Sequence, residues 1–190
     1  MRKGFSMIEL VFVIVILGVL AAVAVPRFVA TRTDAQVATL RSDASSALKA
    51  IVAKVFADNL DTKASLAPSP NDITKTPSIY WSQWILEVAG LDKGRWIPTS
   101  AVQNYDRYGV SPSMKYTGGY MMPCTTAKEG FIAIGKTDGD LYFNPQHLFT
   151  TTQSAGDGYQ ICKQLQESYK NSSGNGNRII PLTSTQTIEF

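Results

Sequence analysis

At 190 residues, with 44% hydrophobic side chains and a formal charge of +3, the chain has room for an anchor and one modest domain. That charge is too small for a nucleic-acid surface, and no Lys/Arg cluster concentrates it. One histidine, His147, excludes a His-rich metal centre and leaves little for imidazole chemistry, and two cysteines, Cys124 and Cys162, both lie in the distal part.

The first predicted element is the apolar stretch "KGFSMIELVFVIVILGVLAAVAVP", Lys3 to Pro26. Leu10 to Val25 is a run of 16 residues without a charge, and from Phe5 onward only Ser6 and Glu9 interrupt it. A helix of about 20 residues covers roughly 30 Å of hydrocarbon, so the segment is long enough to cross a membrane. Arg2 and Lys3 favour a cytoplasmic N-terminus, and Arg27 and Arg32 on the other flank weaken that inference. A secretory signal peptide would also have a basic start and a small-residue site such as Ala22-Val23-Ala24. The run is longer than its usual apolar region, and an acid sits within it. An ordinary single-pass anchor explains the length but not Glu9. A carboxylate inside a membrane costs about 3 kcal/mol or more and normally faces a partner. No cation lies at helical spacing inside the segment, so the partner has to come from elsewhere.

Together these residues resemble the N-terminal signature of type IV pilins and of the pseudopilins of type II secretion. A short basic leader ends in Gly4, the aromatic Phe5 follows, Glu9 is the fifth residue counted from Phe5, and the apolar stretch closes at Pro26. The resemblance covers about an eighth of the chain. It implies that a membrane-embedded prepilin peptidase cuts between Gly4 and Phe5 and methylates the new amino group of Phe5. It implies that the helix then stays as an anchor and becomes the packing core of a filament. It also implies that Glu9 neutralises the N-terminal amine of a neighbouring subunit, which would supply the absent cation. A charge in low dielectric is tolerable only when paired.

Beyond the anchor, Pro26 lacks the N–H that would bond the Ala22 carbonyl, which predicts a kink or a short melted segment. Helical periodicity resumes at once: Val37, Leu40, Ala44, Ala47, Leu48, Ile51 and Val55 recur at steps of three and four, with Arg41, Asp43, Ser45 and Lys49 on other faces. The reading is one helix from Phe5 to about Asn59, apolar all round in its first half and amphipathic in its second. Residues 61–78 read as a loop with three prolines. Thr76-Pro77 reads as an N-cap followed by proline in the first turn of a short helix that ends near Gly90. Tyr80, Trp81, Trp84, Ile85 and Val88 exceed one stripe and are assigned mostly to the core.

The remainder reads as β-structure. Phe131–Ile134 and Leu141–Phe143 form a hairpin through Asp138-Gly139, and Gly118-Gly119 marks another turn. "DGYQICKQL" and "NRIIPL" are further strand candidates. The expected fold class is α+β: a long N-terminal helix, with its amphipathic half covering a small antiparallel sheet in a pilin-like arrangement. The expected organisation is leader 1–4, transmembrane or filament-core helix 5–26, amphipathic continuation 27–60 and globular domain 61–190.

Cys124 and Cys162 are either two buried thiols or one disulfide. In an oxidising compartment the disulfide is the expectation, and the resemblance supports it, because pilins often hold their C-terminal region that way. Some pseudopilins bind calcium, which singles out Asp138 and Asp140. Two carboxylates fall short of the roughly six to eight oxygen ligands calcium takes, and a hairpin turn explains them as well. No cofactor is therefore expected. His147 has no nucleophile motif nearby, and no phosphate-cradling glycine loop occurs. The chain reads as a non-enzymatic filament subunit of the inner membrane, with a cytoplasmic N-terminus and an extracytoplasmic domain. The partners implied by the resemblance are a prepilin peptidase, other pilin or pseudopilin subunits, an assembly ATPase and a membrane platform. The alternative is a membrane-anchored monomeric enzyme or binding protein.

Overall fold

The computed structural model describes residues 6–71, 77–99, 107–115, 121–124, 130–148, 157–170 and 176–183. The chain divides into two units, residues 1–36 and 37–190. Helix α1, Met7–Asp58, supplies the described part of the first unit and continues into the second. No helix end falls at Pro26, and the side chains of residues 26–30 lie outside the description. Every side chain from Ser6 to Val25 is exposed.

In the second unit, α1 buries one line of residues: Val37, Leu40, Ala44, Ala47, Ile51 and Val55, with Leu48 partly covered beside them. Each large aliphatic member contributes about 1.5–3 kcal/mol through area removed from water. Ala44 and Ala47 are almost fully buried, so the small side chains sit where packing is tightest. Ala47→Leu should therefore overpack the site and destabilise it by about 1–3 kcal/mol. Thermal denaturation would show this, and an unchanged midpoint would mean the core has slack there. The helix stops by a Schellman arrangement. Asn59 takes a left-handed φ of 49°, the Leu60 N–H donates to the Val55 carbonyl at 3.0 Å, and the Asn59 N–H donates to that of Phe56 at 3.3 Å.

The 61–78 loop contains a short strand, β1 (Ala67–Pro68), which pairs antiparallel with a second, β2 (Pro77–Ile79), at the loop's end. Pro77 is thus a strand residue and not the first residue of a helix. Helix α2 begins later, at Trp81, and runs to Val88. Its N-cap is Tyr80, whose carbonyl takes the Gln83 and Trp84 N–H groups without any side-chain cap. Thr76, the expected cap, lies outside the described residues. The later start follows from burial: Trp81, Trp84 and Ile85 share the inward face, whereas Tyr80 stays exposed. Gly90, at φ +61°, ends α2 in a second Schellman arrangement, with Leu91 N–H on the Leu86 carbonyl at 2.9 Å and both side chains buried.

The main sheet is antiparallel throughout. It comprises β3 (Trp96–Pro98), β4 (Arg107–Lys115), β5 (Met121–Pro123), β6 (Ile132–Gly135), β7 (Leu141–Phe143) and β8 (Arg178–Ile180). The order is β3-β4-β6-β7-β8, with β5 also on β4. Strand β4 is long enough to serve three partners, pairing β6 over 107–110, β3 over 110–112 and β5 over 113–115. Pro112, which has no N–H to offer, sits where β4 passes from β6 to β5, and its carbonyl accepts the Cys124 N–H at 2.8 Å. Glycine is required where β4 meets the entry to β6. A Cβ on Gly109 would lie 2.9 Å from that of Ala133 and 3.0 Å from the Gly130 Cα, and Gly130 itself has φ +66°. The β6–β7 hairpin turns through Asp138-Gly139, with Gly139 at φ +74°. Residues 118–119, the other expected turn, lie outside the description, although β4 and β5 on either side pair in register.

One strand expectation is overturned. "DGYQICKQL" belongs to a helix, α3, Asp157–Glu167. Ile161, Cys162, Leu165 and Tyr169 recur at helical steps, and Cys162 and Leu165 are fully buried against the sheet core. A 3-10 turn, Pro145–Leu148, carries the chain on from β7. The resulting core joins the inner line of α1 to Trp81, Trp84, Trp96, Phe131, Ile134 and Leu165. The class is α+β, an N-terminal apolar helix followed by further helix and a small antiparallel sheet.

Candidate functional site

The site begins at the first turn of α1. The Ser6 carbonyl accepts the Glu9 N–H at 3.1 Å and the Leu10 N–H at 3.3 Å, which makes Ser6 the residue before the helix. The Glu9 carboxylate reaches back, and its Oε2 accepts the Ser6 main-chain N–H at 2.9 Å. This is the carboxylate half of a capping box, with the acid at the positive end of the helix dipole. The sequence reading missed this partner, although the Ser6-x-x-Glu9 spacing just before an apolar run is its signature. Gly4 and Phe5 lie outside the described residues.

From Met7 to Val25 the helix carries 19 residues of mean hydropathy 3.0, long and apolar enough to cross a membrane. Phe12 is 64% exposed and Leu17 58%, far beyond what a water-facing helix tolerates as a continuous surface. A Cβ added at Gly18 would meet nothing within 4 Å, so this chain's own fold gives no steric reason for glycine there. A helix apolar on every side needs lipid or other helices around it.

The remaining candidates lie in the second unit. Cys124 and Cys162 form a disulfide that ties the end of β5 to α3. The Asp138 carboxylate accepts the Asp140 N–H at 3.2 Å and the Tyr142 hydroxyl, while Asp140 accepts the Leu182 N–H at 3.3 Å. Both acids thereby fix the β6–β7 turn and its link to the segment after β8. Among the described residues, no group of three or more His, Cys, Asp or Glu could hold a metal ion. His147 lies in the 3-10 turn, and its side chain is outside the description. Tyr169 packs edge-on to Phe143 at 5.1 Å beneath the Arg41 guanidinium at 5.5 Å. Burial pushes its hydroxyl above the ordinary phenol pKa, and the nearby Arg41 charge pulls it partly back. A cavity of about 260 Å³ lies between α2 and β3, with Glu87 and Lys93 at its wall beside Leu86 and Trp96, and among the described residues no Ser, Thr, Cys or His lines it. None of this assembles a nucleophile, base and acceptor within reach of one another.

The chain thus joins an exposed apolar helix, long enough to cross a membrane and with a capped acid at its start, to a small α+β fold. Residues 1–25 match the family model of the prokaryotic N-terminal methylation motif. Over 81 residues the chain is 37% identical to the type IV narrow pilus major component PilA5 of Thermus thermophilus, covering 42% of this chain and 70% of that protein. No solved structure matches the chain. The chain belongs to the type IV pilin family, a family of structural subunits and not of enzymes.

Proposed function

We propose that the chain is made as a prepilin, cut between Gly4 and Phe5, methylated on the Phe5 amine, and stored in the inner membrane with its N-terminus in the cytoplasm. Residues 5–26 are the membrane and later filament-core helix, with Pro26 as its kink. Residues 27–60 continue the helix, and 61–190 form the outward domain. Assembly draws the apolar helix from lipid into contact with other subunits, with an ATPase and a membrane platform supplying the work. Glu9 pairs there with the N-terminal amine of a neighbour. The observation that carries this reading is an apolar helix exposed on every side with one carboxylate in its first turn, inside the matched methylation motif. The filament serves a surface, DNA-uptake or secretion system; the likeness to a pilus major component favours a pilus.

Mass spectrometry of the intact protein isolated from membranes tests the reading. The expected mass lacks residues 1–4 and carries one added methyl group on Phe5. A mature protein that keeps Gly4, or one cut after Ala24 as a secreted protein, overturns it.

A further inference from the structure

We infer that the Ser6 main-chain N–H is a positioning group for Glu9. It holds one carboxylate oxygen on the subunit's own helix end and leaves the other to meet a cation carried by an incoming neighbour. This rests on the assembly reading above and adds a stage to it, because the acid has a partner before any second subunit arrives.

The geometry carries the inference. Oε2 lies 2.9 Å from the Ser6 nitrogen, and among the described residues nothing else bonds the carboxylate. A free glutamate on an exposed helix samples several rotamers, and fixing them on docking would cost up to about 2 kcal/mol. The intrachain bond has already selected one. It also gives the carboxylate a hydrogen-bond partner within its own chain, which offsets part of the cost of a polar group in an apolar segment. A carboxylate has room for this, because each of its two oxygens accepts more than one hydrogen bond. Serine suits the position: its main chain turns readily into the helix, and its own carbonyl already serves the Glu9 and Leu10 N–H groups.

Two substitutions separate the capping role of Glu9 from its charge. Glu9→Gln keeps an oxygen that can accept the Ser6 N–H but removes the charge. Glu9→Ala removes both. The full chain in detergent micelles, unassembled and labelled with nitrogen-15, is followed by NMR at the Ser6 amide. In the native chain its exchange should be slowed several-fold. Glu9→Gln should keep the slow exchange, and Glu9→Ala should lose it. An exchange rate in Glu9→Ala equal to the native one overturns the inference. Filament yield in cells is scored on the same variants. Normal Ser6 exchange in Glu9→Ala with failed assembly would sink the positioning role and leave the pairing reading standing. Lost protection in Glu9→Ala with normal assembly of both variants would sink the pairing, and with it the docking half of the inference. Lost protection with failed assembly of both supports the two together.

Discussion

Trp96→Ala should lower the unfolding free energy of the second unit by about 3–5 kcal/mol, within the range for emptying a buried aromatic site. That is a large share of the roughly 5–15 kcal/mol that holds a domain together. Trp96 is fully buried on the edge strand β3, with its ring 5.8 Å from Phe131. Its Nε1–H donates to Asp43 Oδ2 at 3.1 Å, so the side chain links α1 to the sheet through both its ring and its polar edge. Asp43 would not be stranded by the loss, because the Arg95 guanidinium lies 3.6 Å from the same oxygen. The cost should therefore come mostly from the cavity. Trp96→Phe isolates the remainder: it retains most of the ring and loses the hydrogen bond, for about 1 kcal/mol. Urea denaturation of the full chain in detergent, followed by near-ultraviolet circular dichroism, compares them. Equal losses in the two variants would show that the bond to Asp43, and not the packed ring, carries the energy.

How much of this was legible beforehand depended on the range of the interaction. The inner line of α1 is legible in the sequence because Val37, Leu40, Ala44, Ala47, Ile51 and Val55 express one period of one element, and Leu48, at the edge of that line, is only partly buried. The β6–β7 hairpin was legible for the same reason, through Asp138-Gly139 between two short apolar runs. The α3 segment was misread because a brief stretch with two or three apolar residues satisfies either period. Only its docking, with Cys162 and Leu165 on one buried side, decides between them. Pro77 was assigned to a helix start on a local rule. Its pairing with Pro68 is a contact across the loop that no local rule contains. The Trp96–Asp43 bond spans 53 positions and left no mark in the sequence.

The candidate site divides in the same way. Glu9 announced itself through the cost of an acid in a lipid-length run. Its first partner, the Ser6 amide three positions back, is equally local but carries no charge, so the cost of the acid alone does not point to it. Asp138 and Asp140 were weighed as ligands and as turn residues from their spacing. Asp138 accepts the Tyr142 hydroxyl within the hairpin, and Asp140 accepts the Leu182 N–H from the segment after β8.

Removing the Cys124–Cys162 disulfide should destabilise the second unit by about 4 kcal/mol, the chain-entropy value for a closed loop of about 39 residues. The two sulfurs join positions 38 apart in sequence, and both residues are buried. What they connect explains why the loss should be felt locally as well as globally. Strand β5 has only three residue pairs on β4, and the Cys124 N–H bond to Pro112 extends that ladder by one. Helix α3 is 11 residues long, too short to hold together in water without its docked face. With the bond intact, Leu165 and Tyr169 are held against the sheet core even when α3 frays. Without it, α3 can leave as a unit and uncover Phe131 and Phe143, whose rings pack against Tyr169. The double Cys→Ala variant of the full chain in detergent should thus show a lower urea midpoint. Amide exchange in α3 should rise far more than in the buried stretch of α1 around Ala47 and Ile51. A midpoint shift worth less than about 1 kcal/mol would mean that packing alone closes the loop. Equal acceleration in α3 and α1 would mean that the two open together and that the bond fastens no separate piece.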